Sequence, residues 1–217
     1  MEYTEPRMAT SALITIDTQC DLALPGAPAE IPGTMDVIPK MKTLLSAYRA
    51  SGLPIIHIVR LYLPDGSNVD LCRRSSVENG MCVLSPDTAG AEMVPDLKPT
   101  PDAELDAQIL LRGEIQTWDS NEFVIYKPRW GAFYKTPLHG HLNTLGVDTL
   151  VFCGCNFPNC PRTTIYEASE RDYRIVLVED AVSGIYEEGK TELRRIGVRI
   201  WPTQKLLEAI PENLSGF

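Results

Sequence analysis

Asp17, Lys127 and Cys160 are the residues of this chain whose types and placement suit them to breaking a covalent bond. Each stands at or just past the end of an apolar, β-rich run: Asp17 after SALITI, Lys127 closing EFVIYK, and Cys160 a short loop beyond DTLVFCG. A cysteine attacks as its thiolate, and a neighbouring ammonium or a helix N-terminus lowers the thiol pKa from ~8.5 toward neutrality. Lys127 supplies the ammonium, and a helix is expected to start near Cys160 and contain Thr163 to Arg171. A carboxylate within hydrogen-bond reach takes the thiol proton and later delivers it to a departing amine, the role expected of Asp17. Taken singly, each residue has an ordinary reading. Cys160 packs as a small buried hydrophobe, Asp17 caps a turn or helix, and Lys127 is a solvated strand end. None of these explains why all three fall at strand ends.

Two other chemistries are less well served. The chain has three histidines: His57 falls mid-strand in PIIHIV, and His139 and His141 follow Pro137 at the start of a helical segment. A Cys-His dyad is therefore not supported. Cys153, Cys155 and Cys160 are closely spaced, but structural zinc normally takes four ligands and no fourth lies nearby. No metal and no cofactor are expected; Cys153 is placed in the sheet core and Cys155 in the turn at its strand end.

The elements that must position these side chains alternate. SALITI reads as a buried strand, and residues 35–50 carry Val37, Ile38, Met41, Leu44, Leu45 and Tyr48 at helical spacing, with Gly52 placed to stop the helix. Further strands are expected in PIIHIV, EFVIYK, DTLVFCG, YRIVLVED and VRIW, most of them separated by helical segments. Strands apolar on both faces and joined by helical crossovers predict a three-layer α/β/α fold with a doubly wound, six-stranded parallel sheet. In such a sheet ligands bind beyond the carboxyl ends of the strands, where all three reactive residues are placed. Residues 60–121 are the exception, rich in Pro, Gly, Asp and Ser, with one short helix expected after Pro101. A stretch of that length in a compact chain reads as a cover over the active site.

Composition narrows the class. With 217 residues, 44% hydrophobic and 23% charged, a single domain over 1–217 is expected. A net charge of -9 with scattered Lys and Arg opposes a phosphate backbone, so nucleic acid is not an expected partner. No apolar run approaches the ~20 residues that cross a bilayer, and the polar opening MEYTEPRMAT lacks the features of a secretion signal. No membrane association and a cytoplasmic location are expected, with the six cysteines reduced.

Three segments together resemble the isochorismatase-like cysteine hydrolases, a family that includes nicotinamidases, N-carbamoylsarcosine amidohydrolase and biuret hydrolase. LITIDTQCD resembles the family's strand-Asp-x-Gln-x-Asp opening, through Asp17, Gln19 and Asp21. YKPRWGAFYKTPL resembles its lysine stretch, through Lys127, Phe133, Thr136 and Leu138. FCGCNFPNCPRTTIYEA resembles its nucleophile segment, through Gly154, Cys160, Thr164 and Ala168. The resemblance covers nearly the whole chain and implies Asp17 as acid/base, Lys127 as the catalytic lysine and Cys160 as nucleophile. It implies a cis peptide between Cys155 and Asn156, with the N-H groups of Asn156 and Cys160 as an oxyanion hole. It also implies a pocket lined by Trp130, Phe133, Tyr134 and Phe157, and a homodimer or homotetramer.

The sequence departs from the family twice. Phe157, followed by Pro158, stands where the family usually has Thr. The Asp-x-His metal motif that nicotinamidases carry after the second strand is replaced in HIVRLYLPDG, which disfavours nicotinamide and zinc. The expected activity is hydrolysis of a small amide or ureido compound, a non-peptide C-N bond, through a thioester. Isochorismatase-type cleavage of a vinyl ether and a non-catalytic small-ligand-binding role stay open. Arg129 and Arg162 are candidates for a substrate carboxylate, although surface ion pairing suits both.

Overall fold

A computed structural model of the chain describes residues 3–211, so Met1 and Glu2 of the polar opening lie outside the described residues. The elements run β1 (Ser11–Ile16), α1 (Cys20–Ala23), α2 (Thr34–Ser51), β2 (Ile55–Val59), α3 (Leu71–Glu78), α4 (Ala107–Leu111), β3 (Gln116–Asp119), β4 (Glu122–Tyr126), α5 (Leu138–Thr144), β5 (Thr149–Gly154), α6 (Cys160–Ser169), β6 (Arg174–Val182), α7 (Glu187–Arg195), β7 (Arg199–Trp201) and α8 (Thr203–Ala209). The sheet has seven strands in the order β3-β4-β2-β1-β5-β6-β7. The six anticipated strands are all present and pair in parallel. The seventh, β3, adds an antiparallel edge beside β4. Its sequence QTWD has no apolar run, only alternating half-buried and exposed positions, so it carries no strand signal.

Side chains alternate across each strand and divide the core into two layers. Leu13, Val151 and Cys153 face Met41, Leu44, Leu45 and Tyr48 of α2 on one side. Ile14, Ile16, Leu150 and Phe152 face Leu138, Leu142, Ile165 and Ala168 of α5 and α6 on the other. Gly52, with a φ of 67°, closes α2 in the left-handed region, as glycine can. A third cluster lies at the carboxyl ends of the strands, where Tyr62, Val69, Val77 and Leu84 pack with Leu22 and Cys155.

That third cluster changes the picture of residues 60–121. The segment holds α3, α4, β3 and a 3-10 turn at Pro95–Leu97, where the sequence pattern gives only one short helix. In α3, LCRRSSVE, the one buried residue is Val77, so no apolar face is there to be read.

Candidate active site

Asp17 leaves β1 with a φ of 53°, a left-handed conformation that an aspartate adopts at the cost of about 1–3 kcal/mol unless its surroundings hold it there. They do. Its N-H donates to Ile58 O at 2.9 Å, and its carbonyl accepts from Cys155 Sγ at 2.8 Å. On the neighbouring strand Gly154 has a φ of 122°, and a Cβ there would stand 2.3 Å from Ile16 O. Only glycine allows the ends of β1 and β5 to close to this distance.

Lys127, one residue past β4, donates its backbone N-H to Val59 O at 3.0 Å. Its ammonium is fully buried and lies 2.8 Å from Asp17 Oδ2, with a second bond to Arg129 O at 3.3 Å. Asp17 is 4% exposed, and its other oxygen, Oδ1, is buried with no hydrogen-bond partner among the described residues. An acceptor of that kind is costly to leave unmade. Cys160 is the first residue of α6 and is 6% exposed. Burial and the Asp17 charge push its thiol up to about 11, against the opposing pull of Lys127 and Arg60. The sequence leads one to expect a thiol drawn toward neutrality. The structure shows the reverse, because burial and a facing carboxylate outweigh the two cations.

The turn from β5 into α6 has a cis peptide between Cys155 and Asn156. Among the described residues neither the Asn156 nor the Cys160 N-H donates to another backbone group, the latter being one of the first-turn amides that a helix leaves over. The three nearby cysteines take separate directions. Cys153 is buried against Ile14 O, Cys155 is spent on Asp17 O, and Cys160 lines the cleft.

Asp17, Arg60, Arg73, Trp130, Asn156 and Cys160 enclose that cleft, and the space left among them is about 10 Å3, roughly the room of one water. Of the four aromatic residues expected in a pocket, Trp130 lines this cleft. Phe133 packs instead against Tyr173 and His139. Phe157 is fully buried beside Tyr186, and Tyr134 is 46% exposed. Apolar packing between α5, α6 and α7 claims the two phenylalanines. Arg162 pairs with Glu192 and Tyr186 at the surface, and Arg129 donates to Asn68 O and Pro128 O.

The arginines that do reach the site are two others. Arg60 follows β2 directly and is 2% exposed. Its Nη1 donates to Asp70 at 2.6 Å, and its Nη2 lies 4.0 Å from Cys160 Sγ. Gln19 holds its backbone from both sides, accepting from Arg60 N and donating to Arg60 O, each at 2.8 Å. Arg73, on α3, donates to Tyr62 OH at 3.2 Å. The strand-end rule that points to Asp17 and Lys127 points equally to Arg60; no periodic signal marks Arg73. Arg60, Leu61 and Tyr62 directly follow the second strand, in the stretch where the resemblance would place an Asp-x-His motif, and a guanidinium and a phenol are not that zinc donor set. His57 is turned away, donating Nε2-H to Glu122 and accepting at Nδ1 from Thr15.

The family description "Isochorismatase domain" matches residues 11–106 and 106–196. An Arabidopsis thaliana protein named a probable inactive nicotinamidase is 30% identical over 198 residues, covering 89% of this chain and 92% of that one. The ureidoacrylate amidohydrolase of Methylobacterium radiotolerans is 29% identical over 199 residues, covering 86% and 71%. The crystal structure of an isochorismatase family protein from Desulfovibrio vulgaris superposes with a TM-score of 0.79 at 34% identity, covering 93% and 98%.

Proposed function

The chain belongs to the isochorismatase domain family, and on that premise we propose that it is a cysteine hydrolase of a small non-peptide amide. The observation that carries this reading is the buried Lys127-Asp17 pair at 2.8 Å, with Asp17 Oδ1 unpartnered in the cleft that Cys160 lines. The similarity to a ureidoacrylate amidohydrolase supports it. Trp130 lines the cleft wall and is the aromatic residue we assign to substrate contact.

The resting enzyme holds a thiol and a carboxylate, since the thiol sits at about 11. As Cys160 Sγ attacks the amide carbonyl, its proton passes to Asp17 Oδ1, and the carbonyl electrons move onto oxygen. The N-H groups of Asn156 and Cys160 receive that oxyanion, the kind of preorganised donor that contributes most when water is excluded. Collapse of the intermediate breaks the C-N bond while Asp17 returns the proton to nitrogen, leaving a thioester and a free amine or ammonia. Water then gives a proton to Asp17 and attacks the thioester. The carboxylic acid product leaves, and the proton returns to the Cys160 sulfur. Lys127 holds the Asp17 carboxylate in position through their 2.8 Å contact. No step calls on a cofactor.

Cys160→Ala removes one buried sulfur and should leave the fold intact by circular dichroism. Turnover of a panel of primary amides and ureido compounds should fall at least about 1000-fold, on the scale of losing a nucleophile. Wild-type digests after acid quench should show an acyl adduct on Cys160. Amide hydrolysis surviving in Cys160→Ala would sink the thioester route and favour proton-donation chemistry by Asp17.

A further inference from the structure

Amide hydrolysis as set out above uses Asp17, Lys127, Cys160 and two backbone amides, yet Arg60 and Arg73 line the same cleft. Both guanidinium groups gather on Trp130, with their central carbons 5.6 and 5.3 Å from its ring centre. Arg60 has an acid partner in Asp70. Arg73 makes no ion pair among the described residues, and its one hydrogen bond is the long contact to Tyr62 OH. Two cations have thus been brought together with one counter-charge between them, an arrangement that weakens both unless an anion joins them.

The charge count makes the same point. Lys127, Arg60 and Arg73 stand against Asp17 and Asp70, and the Cys160 thiol is neutral. The site therefore has one excess positive charge. With a neutral amide this excess persists through every step, because each proton leaving sulfur or water stays on Asp17 or on the substrate. Charge moves within the site and its sum does not change. A substrate that carries its own negative charge cancels the excess from binding to product release.

Resting on the amide-hydrolase reading, we propose that Arg60 and Arg73 form a carboxylate-binding subsite, and that the substrate is an amide bearing a carboxylate a few bonds from the scissile carbonyl. Arg60 Nη2, 4.0 Å from the nucleophilic sulfur, sets that short separation. Arg73, on the partly exposed α3, completes a two-guanidinium grip of the kind carboxylates accept. The space of about 10 Å3 is roughly that of one water, so a compact substrate enters only as Trp130 and Arg73 shift. Amic acids and ureido acids are the chemical classes that satisfy all of this.

The test uses matched pairs: succinamate with its methyl ester, and 3-ureidopropionate with n-propylurea. Turnover is measured in the full-length enzyme, and binding to Cys160→Ser is measured by titration calorimetry. The carboxylate member of each pair should be preferred about 10- to 100-fold, the discrimination expected of charge-assisted hydrogen bonds. Arg73→Gln should erase that ratio, chiefly through KM, whereas Arg162→Gln, at a surface ion pair, should preserve it. Arg73 is chosen because replacing Arg60 would strand buried Asp70. Equal handling of both members by the wild type, or no binding of either, overturns the subsite, as does an equal loss on both in Arg73→Gln. Preferential binding of the carboxylates without any turnover upholds the subsite and removes the amidase reading instead.

Discussion

At the scale of single residues, the feature that governs reactivity is that the Cys160 thiol is raised, not lowered. Burial comes first and the Asp17 carboxylate second, with Lys127 and Arg60 opposing them. On the proposed mechanism the thiolate forms as Asp17 takes the proton in concert with attack, and a thiol raised in this way is slow to alkylate or oxidise in an idle site. Substituting either partner separates reactivity from catalysis. Asp17→Asn removes a charge that raises the thiol, so iodoacetamide should label Cys160 faster at pH 8–9 than in the wild type while turnover collapses. Lys127→Met removes a charge that lowers it, so labelling should slow. Rates read by peptide mass spectrometry decide this, and slower labelling in Asp17→Asn would show that the carboxylate does not hold the proton on sulfur. That Asp17 and Lys127 directly follow strands, and Cys160 a short loop beyond one, is legible in the sequence because strand ends can be counted from apolar runs. The sign of the thiol shift is not legible, because it depends on how completely Cys160 is buried.

At the scale of elements, β1, β2, β4 and α2 are bound by a buried polar chain. Thr15 donates to His57, His57 to Glu122, and Arg49 of α2 grips both Glu122 oxygens at 2.7 and 2.8 Å. Burial would raise Glu122, but the bonds from Arg49 and His57 outweigh it and hold the carboxyl at about 2. Burial dominates for His57 and lowers it below its usual 6.5. Both groups bind more protons in the unfolded chain than in the folded one. The stability they supply is complete at neutral pH, and the His57 share is lost as pH falls below about 6.5. The Glu122 share is lost later, from about 4.5 down through about 2. Urea unfolding at pH 7.5 and pH 5 should show this decline, and His57→Gln should flatten it over that interval. An unchanged slope would remove His57 as its source. The sequence places His57 mid-strand and so sets it apart from the chemistry, but its partners are 42 and 65 residues away and no local pattern joins them. For the same reason β3 and α3 escape detection: neither buries a periodic apolar face, and both are held by what they pack against.

At the scale of the whole molecule, the site lies where the strand order turns back on itself. From β1 the chain proceeds outward through β2 to the edge strand β3 and its neighbour β4, then returns to β5 on β1's other side and proceeds outward to β7. The crevice between β1 and β5 is the topological switch point of the sheet, and Asp17 and Cys160 straddle it. Within the segment proposed to cover this crevice, residues 84–94 are fastened through residues 18–21. Cys20 N and Asp21 N donate to Glu92 O and Gly90 O, Val94 N donates to Thr18 O, and Asp21 Oδ2 accepts from Leu84 N. Gln19 stands at the centre, since its amide joins Arg60 N, Arg60 O and Ala91 O. Gln19→Ala would leave three buried backbone groups unpaired at about 1–3 kcal/mol each, a large part of a typical total of about 5–15 kcal/mol. The two core layers on the sheet do not pass through Gln19, so the loss should be local before it is global. Hydrogen exchange in the variant should quicken over 60–62 and 84–94 while β5 and β6 keep their protection, and KM should rise because Arg60 loses its fixed position. Exchange that quickened uniformly would mean the cover and the sheet unfold as one unit, and that Gln19 stabilises the fold without separately positioning Arg60.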